Sequence, residues 1–489
     1  MGGSVDLEKK VDSVENLETK EEGINLHESL TEEEEKIRKK YLWKVDLRLV
    51  PILSLTYIMI LICSGNIGAV LFTDFIPALK LSKAVQGNVL TFHSVTLIIF
   101  QLPSNVLLKK TRPRFWLSSI SLLAGVSAFL LTYAKNGATV VALRMLMGMF
   151  AAGYVPGVVG YFNYWYTRTE YAVRMSAFFT SVATAGIIGT PMTATLVSKK
   201  VMHYLSYQSV YFVEGLISII LAVLMFFILS DYPDRASFFT SEEKELIIRR
   251  LNKNQGMASH TKPTLKATLT VLADWKIYVN AVILFGLLTV STIVGSFAPS
   301  LLVELGYKFT TAIYLATIQA GFGLIGILTS IQLMKRFEFS KLIIVYGIIG
   351  YTFYSVAAFA NGKILRLVFI SLSGFGATGN VPIIFGWLAI NQGGIYKNLV
   401  ASAAMMSLGS ISGAVVPRYF VPAYAPRYYT GQYLTVFLGL LSLILTLVMR
   451  IYFVKENKRR DENPEDVSHL SLEEQRALSD YHPNFRYRL

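Results

Sequence analysis

Along this chain, long apolar stretches alternate with short charged or polar loops. The stretches cover 49–72, 87–108, 115–134, 139–163, 174–197, 208–230, 277–302, 310–333, 341–360, 364–390, 399–421 and 430–454. Each is near the ~20 residues that an α-helix needs to cross a bilayer. Polar tracts at 1–45 and 455–489 flank them, and a longer charged segment, 231–276, separates the sixth from the seventh. The pattern predicts an all-α, polytopic membrane protein with twelve transmembrane helices in two six-helix halves, 46–230 and 277–454. Two helix starts are readable in the polar parts. Thr31 with Glu34 fits a capping box for a short helix ending the N-terminal tail, and Thr240 with Glu243 fits another in the central segment.

Composition agrees with this pattern. Hydrophobic residues make up 53% of the chain and charged residues only 16%. The net charge of +14 raises the question of nucleic acid. The basic residues nevertheless cluster in loops: Lys109, Lys110, Arg112 and Arg114, then Lys335, Arg336 and Lys341, then Lys455, Lys458, Arg459 and Arg460. All three clusters fall on the side of both tails, which the positive-inside rule assigns to the cytoplasm. The partner is therefore a lipid bilayer, most simply the plasma membrane, and not nucleic acid. A single cysteine, Cys63, excludes an intramolecular disulfide. Six scattered histidines without an HExxH or HxxxH pattern argue against a membrane enzyme, a metal site or a cofactor. No filter-like segment marks a channel. Two six-helix halves around a midplane site form the architecture of a transporter built from repeats.

Few polar side chains interrupt the apolar stretches. Arg144 lies in the fourth, where a buried cation normally faces a cavity or a partner. It shares a helix face with Gly148, Ala151 and Val155. Its planar fork suits a carboxylate; the bland alternative is a structural tie to a neighbouring helix. His93 is the only histidine inside a stretch and suits reversible protonation; the alternative is a neutral ring bonded to a neighbour. Asn66, Asn391 and Gln319 could hydrogen-bond a ligand or join two helices. Trp387 could stack on an aromatic ring or simply fill space. Glu214, at the start of the sixth stretch, is a further acid inside an apolar run. Gly321-x-Gly323-x-x-Gly326 has dinucleotide-loop spacing, but inside an apolar helix it reads as close helix approach.

Several segments together carry a family resemblance: Ser64-Gly65-Asn66-Ile67-Gly68; Leu102-Pro103-Ser104-Asn105 before Pro113-Arg114-Phe115-Trp116; Leu143-Arg144 with Gly153-Tyr154-Val155-Pro156-Gly157; Asn163-Tyr164-Trp165-Tyr166. Further along stand Ser230-Asp231-Tyr232-Pro233-Asp234, Phe297-Ala298-Pro299-Ser300, Trp387-Leu388-Ala389-Ile390-Asn391, Ala425-Pro426-Arg427-Tyr428 and Pro483-Asn484-Phe485-Arg486-Tyr487. In order and spacing they resemble the fungal allantoate permease subfamily of the anion:cation symporters, within the major facilitator superfamily. The resemblance implies a monomeric carrier of small organic anions such as allantoate, nicotinate or pantothenate, working by alternating access and coupled to protons. It also exposes three departures. Cys63 and Ser64 stand where the family has Asp-Arg, Gln101 where it has an acid, and Ala151 where it has glutamate. An uncoupled facilitator or exporter, or a non-transporting nutrient sensor on the same fold, is the alternative those departures leave open. On this reading Arg144, Asn66, Asn391, Gln319 and Trp387 are the substrate-binding candidates, and His93 is the proton-coupling candidate.

Overall fold

The computed structural model describes residues 30–489 apart from 72, 200, 202, 256–264, 394, 417–418, 420–427, 464–465, 468 and 470–477. The Ala425-Pro426-Arg427 motif and most of the N-terminal tail lie outside the described residues.

The first half begins with α1 (Glu32–Gly65), continued after Asn66 by the short α2 (Ile67–Val70) and α3 (Phe75–Leu79). It goes on with α4 (Lys83–Lys110), α5 (Pro113–Leu130), α6 (Gly137–Ala151), α7 (Tyr154–Phe162), α8 (Arg168–Ser198) and α9 (Ser206–Ile228). The linker carries α10 (Ser241–Gln255) and α11 (Leu265–Leu272). The second half has α12 (Trp275–Glu304), α13 (Phe309–Leu333), α14 (Phe339–Phe359), α15 (Lys363–Ile390), α16 (Ile395–Gly409), α17 (Ile411–Val415) and α18 (Tyr429–Glu462). Among the described residues, twelve helical spans are long and apolar enough to cross a membrane, with α6 and α7 forming one bent span and α16 and α17 another. The all-α, twelve-span expectation is met.

One boundary differs. The Thr31–Glu34 capping box is present, with Glu34 N at 3.3 Å from Thr31 Oγ1, but it opens α1 itself rather than a separate tail helix. Hydropathy marks only the part of a helix that suits lipid, and the sequence from Glu32 to Gly65 holds no residue that stops the helix; Pro51 lies inside it. The last helix likewise runs on to Glu462, beyond the apolar stretch.

Both tails and the linker meet on one face, called here the tail face. Lys44 of α1 donates to Glu243 at 2.7 Å, and Arg250 of α10 donates to Glu170 of α8 at 3.0 Å. Arg174 grips Asp46 through Nε at 3.0 Å and Nη2 at 2.8 Å. Within each half the helices touch closely, as α13 does α15. There Gly326 lies so near the Phe375 carbonyl that a Cβ would collide with it, the close approach expected of that glycine run. Between the halves, α8 contacts α13 and α15, while α16 contacts α4 and α7. On the tail-face side of this seam the rings of Phe179 and Phe385 lie 5.0 Å apart, and Leu399 of α16 fills the space that Gly160 of α7 leaves open.

Candidate functional site

The chain breaks its first membrane span at Asn66, between α1 and α2. The last carbonyls of any helix lack intrahelical partners and carry partial negative charge, so they attract a cation. Arg144 of α6 supplies one. Its Nη1 donates to the Cys63 carbonyl at 3.2 Å and its Nη2 to the Ser64 carbonyl at 3.1 Å. Arg144 is 1% exposed, and its Nε has no partner. Among the described residues no carboxylate lies within ion-pair distance of it, so the guanidinium keeps hydrogen-bonding capacity to spare.

The same break is held from a second side. Asn66 donates through Nδ2 to Glu214 of α9 at 2.5 Å, and Thr193 of α8 donates to the other carboxylate oxygen at 2.9 Å. Glu214 is fully buried, two turns inside α9 rather than at its start. The Asn66 side-chain oxygen is buried without a partner. His93 of α4 completes the cluster: its Nδ1 lies 3.1 Å from the Arg144 carbonyl. A carbonyl only accepts, so Nδ1 carries the hydrogen and Nε2 is the position open to a second proton. Beside this group lies a small pocket lined among others by Cys63, Ser64, Met147 and Ala151. The small side chain at 151, where the resemblance calls for glutamate, is part of what leaves that space.

The structure thus brings Arg144, His93 and Asn66 together. It separates the other three candidates from them. Gln319 of α13 packs its carbonyl and side chain against Gly374 of α15. Asn391 donates to the Arg488 carbonyl at 2.9 Å and accepts from the Arg488 amide at 2.8 Å, and the Trp387 indole donates to that same carbonyl at 3.0 Å. Both residues serve the C-terminal tail on the tail face. Sequence reasoning placed neither that role nor Glu214's link to Asn66. An acid in the middle of an apolar stretch was the available signal for the latter.

Twelve spans in two halves, with a buried cation, carboxylate and histidine around a broken first helix, define a polytopic membrane transporter. A profile of the Major Facilitator Superfamily matches residues 53–417, and the chain belongs to that superfamily. Among its relatives is MFS transporter prlL of Fungal sp. (strain NRRL 50135), 26% identical over 432 residues that cover 86% of this chain and 87% of that one. Another is a putative tartrate transporter of Agrobacterium vitis, 24% identical over 424 residues, 84% of this chain and 92% of the relative. Among solved structures, FucP in the outward conformation has a TM-score of 0.62 at 16% identity, covering 82% of this chain and 99% of its own. The proton:xylose symporter XylE has a TM-score of 0.64 at 13% identity, covering 84% and 96%. At these identities the two structures speak for the fold alone.

Proposed function

We propose that this protein carries a small organic carboxylate across the plasma membrane by alternating access, with its tail face in the cytoplasm. The observation that carries the reading is Arg144: a buried guanidinium that, among the described residues, has no carboxylate partner and holds two backbone carbonyls at a break in the first span. A substrate carboxylate could take up its fork with two parallel charge-assisted bonds, which a carbonyl pair matches less well. The resemblance to the allantoate permease subfamily supports an anion, and so does the relative named as a putative tartrate transporter.

Coupling to protons is part of the proposal and falls to His93. Its ring is bonded to the backbone of the anion-binding residue, so a proton gained at Nε2 adds positive charge beside Arg144. In a low-dielectric interior that charge and an entering anion favour each other.

The test uses purified protein in liposomes with radiolabelled tartrate, nicotinate and pantothenate, each with and without an inward proton gradient. We expect saturable uptake of at least one acid. Arg144→Lys keeps the charge but loses the planar fork, so its apparent affinity falls while its yield and monodispersity hold. His93→Gln abolishes uphill accumulation but retains exchange at equal concentrations. Unchanged apparent affinity in Arg144→Lys would make the arginine a structural cap and move the anion site elsewhere.

A further inference from the structure

The C-terminal segment 479–489 is seated in the tail face more firmly than a tail requires. Asp480 is fully buried. Its carboxylate accepts from both Lys276, at the start of α12, and Lys397, at the start of α16. Lys397 also donates to Asp274 of the linker at 2.7 Å, so two lysines and two aspartates close on one another. Burial opposes the charge of Asp480, but the ammonium groups of Lys397 and Lys276 outweigh it and hold the carboxyl below the usual aspartate range. Arg460 of α18, 4% exposed, donates through Nη1 to the tail carbonyls of Asp480 at 3.1 Å and Phe485 at 2.7 Å. Tyr487 stacks on Phe453 with ring centroids 4.5 Å apart and exchanges two bonds with Asn457. The last residue closes the seat, since Leu489 O accepts from the Phe339 amide at 2.8 Å.

What this segment holds is specific. Lys397 stands two residues before Leu399, the side chain that α16 sets against Gly160 of the opposite half. An alternating carrier must separate these surfaces to open the tail face. The position of α16's first turn therefore decides how well the seam closes. That turn is tied to the tail and the linker, by Lys397 to Asp480 and Asp274 and by Tyr396, whose hydroxyl lies 2.5 Å from that of Thr268 in α11. Of these partners, Asp480 belongs to the segment that follows α18 and lies outside the membrane spans.

We propose that residues 479–489 act as a built-in clasp: docked, they hold the first turn of α16 in the position that closes the tail-face seam, and released, they let the seam open. The cargo does not enter this argument, so it stands apart from the anion reading.

The experiment follows the seam directly. In a Cys63→Ala background, a Phe179→Cys/Phe385→Cys pair replaces the two rings that meet across the halves, and its oxidative cross-linking rate reports closure. The full chain is compared with a chain ending at Leu478 and with Asp480→Asn. Losing the clasp should slow cross-linking roughly tenfold, the population change that about 1.4 kcal/mol gives. A synthetic peptide of residues 479–489, added to the truncated protein, should restore the rate. If truncation fails to give monodisperse protein, Asp480→Asn decides. An unchanged rate, or a slowing that the peptide does not reverse, overturns the clasp.

Discussion

The two buried charge clusters of this protein obey opposite rules. On the tail face, Lys276, Lys397, Asp274 and Asp480 face one another, with bonds running between both lysines and both acids. At the break in the first span, Arg144 holds two carbonyls and leaves Nε unused, while among the described residues Glu214 is bonded by the neutral side chains of Asn66 and Thr193 alone. A burial cost met by internal partners holds the elements that carry them in place. A burial cost met only in part leaves capacity that, on the proposed function, a substrate carboxylate would take up. Buried ions cost several kcal/mol each to desolvate, so the two clusters should respond differently to substitution.

Breaking the complete cluster should have the largest effect on stability. Lys276→Ala removes one of the two cations on a fully buried carboxylate, and an unfolding cost of about 3–5 kcal/mol is expected. The double variant Lys276→Met with Asp480→Leu should recover most of that loss, since apolar side chains of similar volume need no partners. Thermal unfolding in detergent checks both. A double variant no more stable than Lys276→Ala would show that the lysine's role is not to balance Asp480.

The incomplete cluster should respond the other way round. Arg144→Met gives up two bonds to carbonyls, about 1–3 kcal/mol in all, yet it should abolish saturable uptake of the labelled acid. Equal losses of stability and transport across Arg144→Met and Lys276→Ala would erase the distinction between the two clusters.

A steric change of intermediate size sharpens the same contrast. Gly148 of α6 faces the His93 carbonyl and the Thr96 hydroxyl of α4, with no room for a Cβ. Gly148→Ala must push α4 from α6, costing about 1–3 kcal/mol and stretching the His93–Arg144 bond. Transport driven by a proton gradient should fall more than exchange does. Gly409→Ala, which crowds the Leu284 side chain in the other half, should leave the two modes in their original ratio.

Much of the fold was legible in the sequence because its signal is local: about twenty apolar residues in a row make a span whatever surrounds them. Arg144 and His93 stood out for the same reason, as polar side chains in apolar runs. Their alternative readings, Arg144 tied to a neighbouring helix and His93 bonded to a neighbour, match the bonds found, but the individual partners were not legible. The Arg144 fork meets backbone carbonyls, which every residue possesses and no motif marks. Asn66 and Glu214 lie 148 positions apart, and Asn391 meets Arg488 across 97. Asn391 and Trp387 lie in apolar surroundings because a tail covers them, and a hydropathy pattern cannot separate that cover from a binding cavity. Arg460 misled in the opposite sense. It sits in a basic cluster that reads as membrane-side charge, yet it is buried around the tail carbonyls.

The smallest effect tests whether the clasp senses pH. His482 lies in the tail, outside the spans, and its backbone carbonyl accepts from Arg460 at 3.3 Å. Burial, and then the positive charge of Arg460, hold its imidazole below the ordinary value of 6.5. A released tail therefore takes up a proton more readily than a docked one. By linkage, docking is at full strength above the ordinary value, weakens as pH falls through about 6.5, and has lost the whole increment below the docked value. Asp480 acts in the same sense only in stronger acid, below its ordinary 3.8, because its docked carboxyl is held lower still. Between pH 7.5 and 5.5, the cross-linking rate of the Phe179→Cys/Phe385→Cys pair should thus decline slightly once corrected for thiol ionisation with a free thiol standard. His482→Gln should remove that decline without altering the rate at pH 7.5. A decline that persists in His482→Gln would assign the titration to another group and leave the clasp itself insensitive to pH in this range.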